Sequence, residues 1–334
     1  MSNFFQGWRR KVGCIVMLLA LASMAAWLRS FLIDDFIEFP MKSVAENETI
    51  SGLATQHQSL VLYWDSELVA TPASEPVLSA PAGSPATLVH FDELARERFG
   101  DQQLELLWSI SNLKRLSLRN TGITDAGLTK LRPLKSLEWL DLSDTSITDA
   151  GIGEIAGLTS LKFLALSGPG ISDAALEQIG HFGNLNGLAL VNADVTVSGL
   201  RKLTELTNLT TLNICNSSIS DDGLREIGEL TQLTHLFLNS TKITDAGLKH
   251  LAGLKQLNQL LLNDTPITNA GVKELAALPK LSTLDLSGTL ITDQGLKELG
   301  RSPSLQFVSI ARTKVTNAGA MDLKKSLPDL DVDH

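Results

Sequence analysis

Leucines recur every 24 residues through the C-terminal part of the chain, and no other feature of the sequence constrains the fold as much. Each of nine copies begins with the phrase L-x-x-L-x-L, in which Val308 and Ile310 replace the later leucines of the last copy. A fixed period without insertions is typical of a repeat architecture, because each copy buries its apolar side chains only against its neighbours. The nine copies open at Leu113, Leu137, Leu161, Leu185, Leu209, Leu233, Leu257, Leu281 and Leu305.

Each copy predicts a short strand followed by a helix. The alternation L-x-L places leucines on one side of a strand. An aliphatic residue followed by Thr or Ser comes next in every copy, and then Asp or Asn in eight of nine and Gly two residues later in eight of nine. Apolar residues at spacing three, such as Leu128, Leu131 and Leu134, indicate one face of a helix. We therefore predict an α/β solenoid of nine 24-residue repeats with a parallel sheet.

Composition restricts both the core and the partners. Hydrophobic residues make up 43% of the chain but aromatic residues only 5%, so the core consists mainly of aliphatic side chains. The formal net charge is −9, and the clustered Lys and Arg that neutralise phosphates are absent from the sequence. We therefore expect no nucleic acid among the partners.

The repeat phrase L-x-x-L-x-L-x-x-T-x-I-T-D-x-G-L resembles the cysteine-containing class of leucine-rich repeat, which occurs in F-box adaptor proteins and in exported bacterial proteins. The N-terminal layout is similar to that of bacterial membrane-anchored leucine-rich repeat proteins. The resemblance implies a right-handed horseshoe with the parallel sheet on the concave side and helices on the convex side. Threonines stand where that class often has Cys, at Thr121, Thr145, Thr241, Thr265, Thr289 and Thr313.

An apolar segment at residues 12–33 predicts a single transmembrane anchor. Residues 12–28 carry no charge, and with Phe31, Leu32 and Ile33 beyond a snorkelling Arg29 the segment can cross a hydrocarbon core of about 30 Å. Basic residues precede it and Asp34, Asp35 and Glu38 follow it, so the positive-inside rule places residues 1–11 in the cytoplasm. We expect a single-pass protein of the cell inner membrane, with its repeats on the periplasmic or extracellular side. A cleaved signal peptide is the alternative, and it also exports the repeats.

The remaining segments are assigned by composition. Residues 34–70 predict a small juxtamembrane β segment, and residues 71–87, with four prolines among Ala and Ser, predict a linker. Residues 88–112 predict an N-terminal helical cap, in which Asp92 caps a first helix and the Leu104, Leu107 and Ile110 spacing repeats that of the later helices. The repeats then occupy residues 113–328, and residues 329–334 form a C-terminal cap.

A row of aspartates recurs at one position of the repeat and allows two interpretations. Carboxylates at roughly the 4.8 Å spacing of strands could share calcium. Alternatively, each Asp follows a Thr or Ser at a helix start, where both side chains cap or favour the helix N-terminus. We favour capping and predict no metal, partly because Val197, Asn269 and Asn317 interrupt the row. The row consists of Asp125, Asp149, Asp173, Asp221, Asp245 and Asp293.

The sequence offers almost nothing for catalysis. The six histidines have no metal-ligand spacing, and the sequence contains no nucleophile elbow, phosphate-binding glycine loop or dinucleotide fingerprint. Cys215 and His235 fall on adjacent predicted strands, but they are two columns out of register and lack an orienting third group. We therefore predict a protein that is not an enzyme and needs no cofactor.

The outward-pointing strand residues are the candidate binding surface, because the repeat pattern does not dictate them. Large side chains there flank the small Gly187, Ala189 and Val191 and would form a shallow apolar patch of the kind that binds partners. Scattered exposed apolar side chains are also common on proteins without any such role. The predicted partner-binding residues are Trp139, Asp141, Phe163, Val191, Asn213, His235, Phe237 and Asn239.

Three functions remain open from the sequence. The first is the binding of a protein or peptide partner by the concave face of the solenoid. The second is a structural role as an envelope scaffold or spacer, and the third is an F-box-like substrate adaptor. Copies three and four are the least regular, with Pro169 and Ala193 in the Thr column, Ala175 in the Gly column and Val197 in the Asp column. This irregularity marks either a functional stretch or sequence drift.

Overall fold

The computed structural model describes residues 55–56, 59–64, 86–91, 99–109 and 112–334. The predicted cytoplasmic N-terminus at residues 1–11, the predicted membrane anchor at residues 12–33 and the helix predicted to begin after Asp92 lie outside these ranges. None of the helices within these ranges has the length and apolar character needed to cross a membrane.

One sheet runs through the described part of the chain, and its thirteen strands lie side by side in sequence order. The first two strands pair antiparallel and each later pair is parallel. The strands are β1 (Thr55–Gln56), β2 (Ser59–Trp64), β3 (Ala86–Phe91), β4 (Arg115–Ser117), β5 (Trp139–Asp141), β6 (Phe163–Ser167), β7 (Gly187–Val191), β8 (Thr211–Asn213), β9 (His235–Phe237), β10 (Gln259–Leu261), β11 (Thr283–Asp285), β12 (Phe307–Ser309) and β13 (Asp331–Asp333).

The copies stack in strict register because no insertion interrupts the 24-residue period. Arg115 pairs with Trp139, Trp139 pairs with Phe163, and the same offset continues to the last strand. Equivalent side chains therefore form straight columns across the sheet. The middle leucine of each strand, such as Leu116 or Leu140, points into the core and is fully buried.

Short helices return the chain after each strand on the other side of the core. They are α1 (Asp125–Leu128), α2 (Asp149–Ile152), α3 (Asp173–Ile179), α4 (Val197–Lys202), α5 (Asp221–Ile227), α6 (Asp245–Leu248), α7 (Asn269–Ala276), α8 (Asp293–Leu299) and α9 (Asn317–Ser326). In copies one, two, four and six a 3-10 turn extends the helix, as at Thr129–Leu131. Each helix follows a Thr or Ser in extended conformation, as the sequence predicts.

The core is a continuous stack of aliphatic side chains from the strands and helices. Leu128 and Leu131 from one helical segment are fully buried, as are the strand leucines of the same copy. Burying one such side chain contributes about 1.5–3 kcal/mol, and most of its contacts come from the same and the adjacent copies. The stability of the solenoid therefore depends on the interfaces between copies.

The N-terminal cap differs from its prediction. Strand β3 begins within the segment predicted as linker and continues into residues 88–112, which we predicted to be helical. Leu88 and Val89 pair with Arg115 and Leu116 of β4, so the sheet continues past the first copy and the edge of β4 is covered. Among the described residues of this segment, a 3-10 helix at Asp101–Ser109 buries Leu104 and Leu107.

Strands also occupy the juxtamembrane segment and the C-terminal cap of the sequence. Strands β1 and β2 lie within residues 34–70, where we predicted a small β segment. At the other end, β13 lies within residues 329–334, the predicted C-terminal cap, and pairs with β12. Asp331 and Asp333 on this last strand place negative charge at the sheet edge, which opposes pairing with another chain.

Every copy leaves its strand through a residue in the left-handed conformation. Asn120 has φ 56° and Gly168 has φ 95°, and the equivalent residue of each copy also has a positive φ. Asn, Asp and Gly tolerate this conformation best, and they fill seven of the nine positions, with Ser240 and Arg312 as the exceptions. The set is Asn120, Asp144, Gly168, Asn192, Asn216, Ser240, Asp264, Gly288 and Arg312.

Candidate functional site on the sheet face

The eight predicted binding residues lie in three columns on the face of the sheet that points away from the helices. Trp139, Phe163 and His235 belong to the first column, because β5, β6 and β9 pair in register through Gly187 and Thr211. The second column holds Asp141, Asn213 and Phe237. Val191 and Asn239 follow in the third column.

An aromatic stack dominates the first column. The rings of Trp139 and Phe163 lie 5.5 Å apart between centroids and only 8° from parallel. Register across β5 and β6 brings them together, and Gly187 on β7 makes room beyond them: a Cβ there would lie 2.5 Å from Cδ2 of Phe163. Both aromatic side chains are half-buried, so part of the stack remains accessible to a partner.

The second column is more buried than the sequence predicts. Phe237 is only 1% exposed and Asp141 9%, whereas Asn213 is half-buried. A second-column side chain contacts neighbours on both adjacent strands and in the first and third columns. It therefore has less accessible surface than a side chain of the first column, which has a neighbouring column on one side only. The expectation that Phe237 forms part of an exposed patch is therefore wrong.

Asp141 and Asn213 have a local structural role. Oδ1 of Asp141 accepts the backbone N–H of Ser143 at 2.9 Å, and Oδ1 of Asn213 accepts that of Cys215 at 3.0 Å. Such bonds from a side chain to the backbone two residues on stabilise a turn. Side chains that are engaged in this way have less hydrogen-bonding capacity left for a partner.

His235 and Cys215 are both held uncharged. Burial lowers the pKa of His235, whose Nδ1 lies 2.8 Å from the Thr234 hydroxyl. Burial raises the pKa of the Cys215 thiol to about 11, against a smaller opposing effect of a backbone hydrogen bond from Asn239. Because the thiolate is the nucleophile, a thiol with this pKa is a poor one at neutral pH.

The aspartate row connects successive copies, which the sequence pattern alone does not reveal. Oδ1 of Asp125 accepts the backbone N–H of Thr148 at 2.8 Å and Oδ2 accepts its hydroxyl at 2.6 Å. Gly151 allows this approach, since a Cβ there would lie 2.3 Å from Oδ1 of Asp125. The same pairs join Asp101 to Thr124, Asp149 to Ser172, Asp173 to Thr196, Asp221 to Thr244, Asp245 to Thr268 and Asp293 to Thr316.

This arrangement refines the capping interpretation. The carboxylate does not cap its own helix but binds the residue that precedes the next one, while the Thr or Ser hydroxyl accepts weakly from its own helix, as Thr148 does from Ala150 at 3.4 Å. Both oxygens of each carboxylate are occupied. Within the described ranges, no group of three or more His, Cys, Asp or Glu side chains is arranged to hold a metal ion.

The ladder of aspartates is interrupted between copies four and five. Val197 stands where six other copies carry Asp and two carry Asn, and Ser220, which follows it in the next copy, makes no side-chain capping bond among the described residues. A cavity of about 160 Å³ lies at this position and is lined by Val197, Ser220 and Gly223, among others. The irregularity in the sequence therefore coincides with a weaker junction between two copies.

A second feature of this surface was not anticipated. A polar groove of about 620 Å³ is lined by the residues that flank the opening leucine of successive copies. Its Asn residues recur in the sequence when the 24-residue copies are aligned, at positions that precede the strand and lie outside the outward-pointing strand residues. The lining residues are Glu138, Ser160, Lys162, Asn184, Asn186, Asn208 and Thr210.

Comparison with protein families supports the repeat architecture. Among solved structures, the chain is similar to an internalin from Listeria monocytogenes, with 23% sequence identity and a TM-score of 0.45 over 66% of this chain and 71% of the internalin. No curated protein sequence matches the chain. A family model described as a leucine-rich repeat region matches residues 90–326, and the chain therefore belongs to the leucine-rich repeat family.

Proposed function

We propose that the chain is a membrane-anchored leucine-rich repeat protein that binds a protein or peptide partner through the face of its sheet. The observation that carries this proposal is the half-buried stack of Trp139 and Phe163. Aromatic side chains that keep accessible surface on a rigid element are typical centres of binding energy in protein interfaces. A straight register of parallel strands supplies such a rigid element.

The proposed contact surface is narrower than the sequence suggested. It is centred on the first and third columns, where Trp139, Phe163, His235, Val191 and Asn239 are half-buried. Phe237 supports the surface from below rather than contacting a partner, and the Asp141 and Asn213 side chains hold turns. The partner therefore meets two aromatic rings on β5 and β6, the aliphatic side chain of Val191 on β7 and, three strands from Phe163, the amide of Asn239.

We also propose that the repeats lie outside the cytoplasm. Residues 12–33 would hold the protein in the membrane, and the basic residues before them favour a cytoplasmic N-terminus. Reporter enzymes fused to the C-terminus test this orientation. We expect activity from a reporter that works only outside the cytoplasm; activity only from a cytoplasmic reporter would contradict export and favour the adaptor alternative.

Binding is tested by crosslinking capture from native membranes with the full-length chain. We expect the double variant Trp139→Glu/Phe163→Glu to lose a partner that the wild type captures, because two charges replace the aromatic stack. The control is Leu290→Glu, which changes another large apolar side chain, 49% exposed, on a loop outside the sheet face. If wild type, double variant and control capture the same proteins, the sheet-face proposal fails and the scaffold alternative gains support.

A further inference from the structure

Arg115 differs from every other arginine in the described part of the chain. It is half-buried at the start of β4 and, within the described ranges, it makes no ion pair and no side-chain hydrogen bond. Its guanidinium therefore keeps N–H donors for a ligand. The arginines that do pair with a carboxylate are Arg119, Arg132, Arg201, Arg225, Arg301 and Arg312.

Arg115 adjoins the aromatic stack on the sheet face. The register of β4 and β5 pairs Arg115 with Trp139, and the register of β5 and β6 pairs Trp139 with Phe163. The three residues are thus consecutive members of the first column, separated by the roughly 4.8 Å between neighbouring strands. A partner that covers the accessible part of Trp139 therefore also covers the guanidinium of Arg115.

Positive charge exceeds negative charge immediately beside the stack. Glu138 lies between two ammonium groups, 3.0 Å from Nζ of Lys114 and 2.7 Å from Nζ of Lys162. The hydrogen bond from Lys162, followed by that from Lys114, lowers the pKa of Glu138 below its ordinary value. One carboxylate thus faces two ammonium groups, and it has no capacity left to balance Arg115.

The other carboxylates of the second copy are also engaged. Asp144 forms an ion pair of 2.9 Å with Arg119. Asp141 is only 9% exposed, and its Oδ1 accepts the backbone N–H of Ser143. Within the described ranges, the chain therefore supplies no counter-charge for Arg115.

Binding over the stack would remove the guanidinium of Arg115 from water. A charge that is buried without a counter-charge loses its hydration and gains no compensating interaction, which strongly disfavours the complex. A carboxylate compensates, because its two oxygens accept two parallel N–H bonds from the planar guanidinium. The chemistry of the partner at this point of the surface is therefore restricted to an anion.

We propose that the partner presents an acidic peptide segment, with a carboxylate at Arg115 and an apolar side chain on the stack of Trp139 and Phe163. Strand β3 continues the sheet beyond β4, so the segment has surface on both sides of Arg115 and can run past it. We therefore assign the carboxylate to an Asp or Glu side chain of the partner rather than to its C-terminus.

The acidic contact rests on the function proposed above, because Arg115 is covered only when a partner occupies the stack. What it adds is the chemistry by which the partner is recognised. The stack supplies the rest of the affinity, so replacement of Arg115 should weaken the complex without abolishing it.

The test begins with selection of peptides from a randomised display library by the purified full-length chain in detergent. We expect the selected peptides to share an Asp or Glu beside an aromatic or aliphatic residue, and to lose binding to Trp139→Glu/Phe163→Glu. Calorimetric titration then gives the affinity of a selected peptide for each variant. Arg115→Gln should weaken binding about tenfold, as expected for the loss of one charge-assisted pair.

A double-mutant cycle separates direct contact from an indirect effect on the fold. Replacing the acidic residue of the peptide by its amide should weaken binding to the wild type about as much as Arg115→Gln does, and the two changes together should cost little more than either alone. The matched control is Arg119→Gln, which changes an arginine of the same copy that already pairs with Asp144. It should bind the peptide as the wild type does, and circular dichroism should show both variants to be folded.

The outcomes distinguish the acidic contact from the function on which it rests. Selected peptides that need the aromatic stack but lack an acidic residue, or that bind Arg115→Gln as tightly as the wild type, would overturn the acidic contact and leave partner binding by the sheet face standing. A library that yields no peptide dependent on the stack would contradict both.

Discussion

At the scale of single residues, the candidate site depends on what lies next to each aromatic side chain. Phe163 fits because Gly187, its neighbour on β7, has no side chain, and the register of β5 brings Trp139 onto the other side of the ring. The repeat pattern predicts that these residues share a column. It does not predict how deep each column is buried, because burial depends on all neighbours on the face at once.

The space beside Phe163 leads to a prediction for Gly187→Ala. The new Cβ would lie 2.5 Å from Cδ2 of Phe163, so the ring must shift and disturb its stack with Trp139. We expect a loss of stability of about 1–3 kcal/mol, as for other overpacked sites. Urea unfolding measures it, with Gly183→Ala as control, since a Cβ at Gly183 meets nothing within 4 Å. Equal stability of the two variants would contradict this account of the stack.

The half-buried His235 predicts a pH dependence of stability. Burial depresses the pKa of His235 in the folded state below its ordinary value of 6.5, so the unfolded chain binds the proton more readily. Its contribution to stability is therefore complete above pH 6.5 and is lost as the pH falls from there through the folded pKa. We expect His235→Gln to flatten the decrease of unfolding free energy between neutral and mildly acidic pH. An unchanged slope would place the dependence on other groups.

At the scale of elements, the junctions between copies consist of more than apolar packing. An aspartate at the start of one helix binds the backbone N–H and hydroxyl that precede the next, so consecutive helices are fixed to one another. The junction between α4 and α5 lacks this pair because Val197 replaces the aspartate. That junction should be easier to open than its neighbours.

We therefore predict that Val197→Asp stabilises the protein. The carboxylate would reach the N–H and hydroxyl of Ser220 across the existing cavity of about 160 Å³ and contribute about 1 kcal/mol, as a typical cap does. Urea unfolding of Val197→Asp measures the gain. The double variant Val197→Asp/Ser220→Ala should lose part of it, and Ser220→Ala alone should change little. A gain that survives in full in the double variant would contradict the mechanism.

The sequence predicts the strands and helices better than it predicts the burial and hydrogen-bond partners of their side chains. The period and the L-x-L phrase are sufficient for the strands, their register and the buried leucines, because these follow from 24 residues without insertion. The direction of the carboxylates could not be predicted, since Asp125 reaches Thr148 in the next copy and only the stacking distance decides this. The left-handed residues were predictable from their Asn, Asp and Gly column. Strand β3 was missed because its residues are divided between the predicted linker and the predicted helical cap.

At the scale of the whole molecule, the stack of 24-residue copies presents side chains from successive strands on one continuous surface. The same register that buries the leucines aligns Trp139 with Phe163. A repeat fold by itself is compatible with many functions. The residues that differ between copies, rather than those that recur, carry the proposed binding.

The most direct measurement is site-specific photocrosslinking in native membranes. A photoreactive side chain replaces Arg115, the first-column residue paired with Trp139, and in a second protein it replaces Met321, which is 64% exposed on α9. We predict a discrete crosslinked protein partner from position 115, absent from position 321 and lost when Phe163→Glu is added. Crosslinks of the same kind from both positions, or none from position 115, would contradict partner binding by the sheet face.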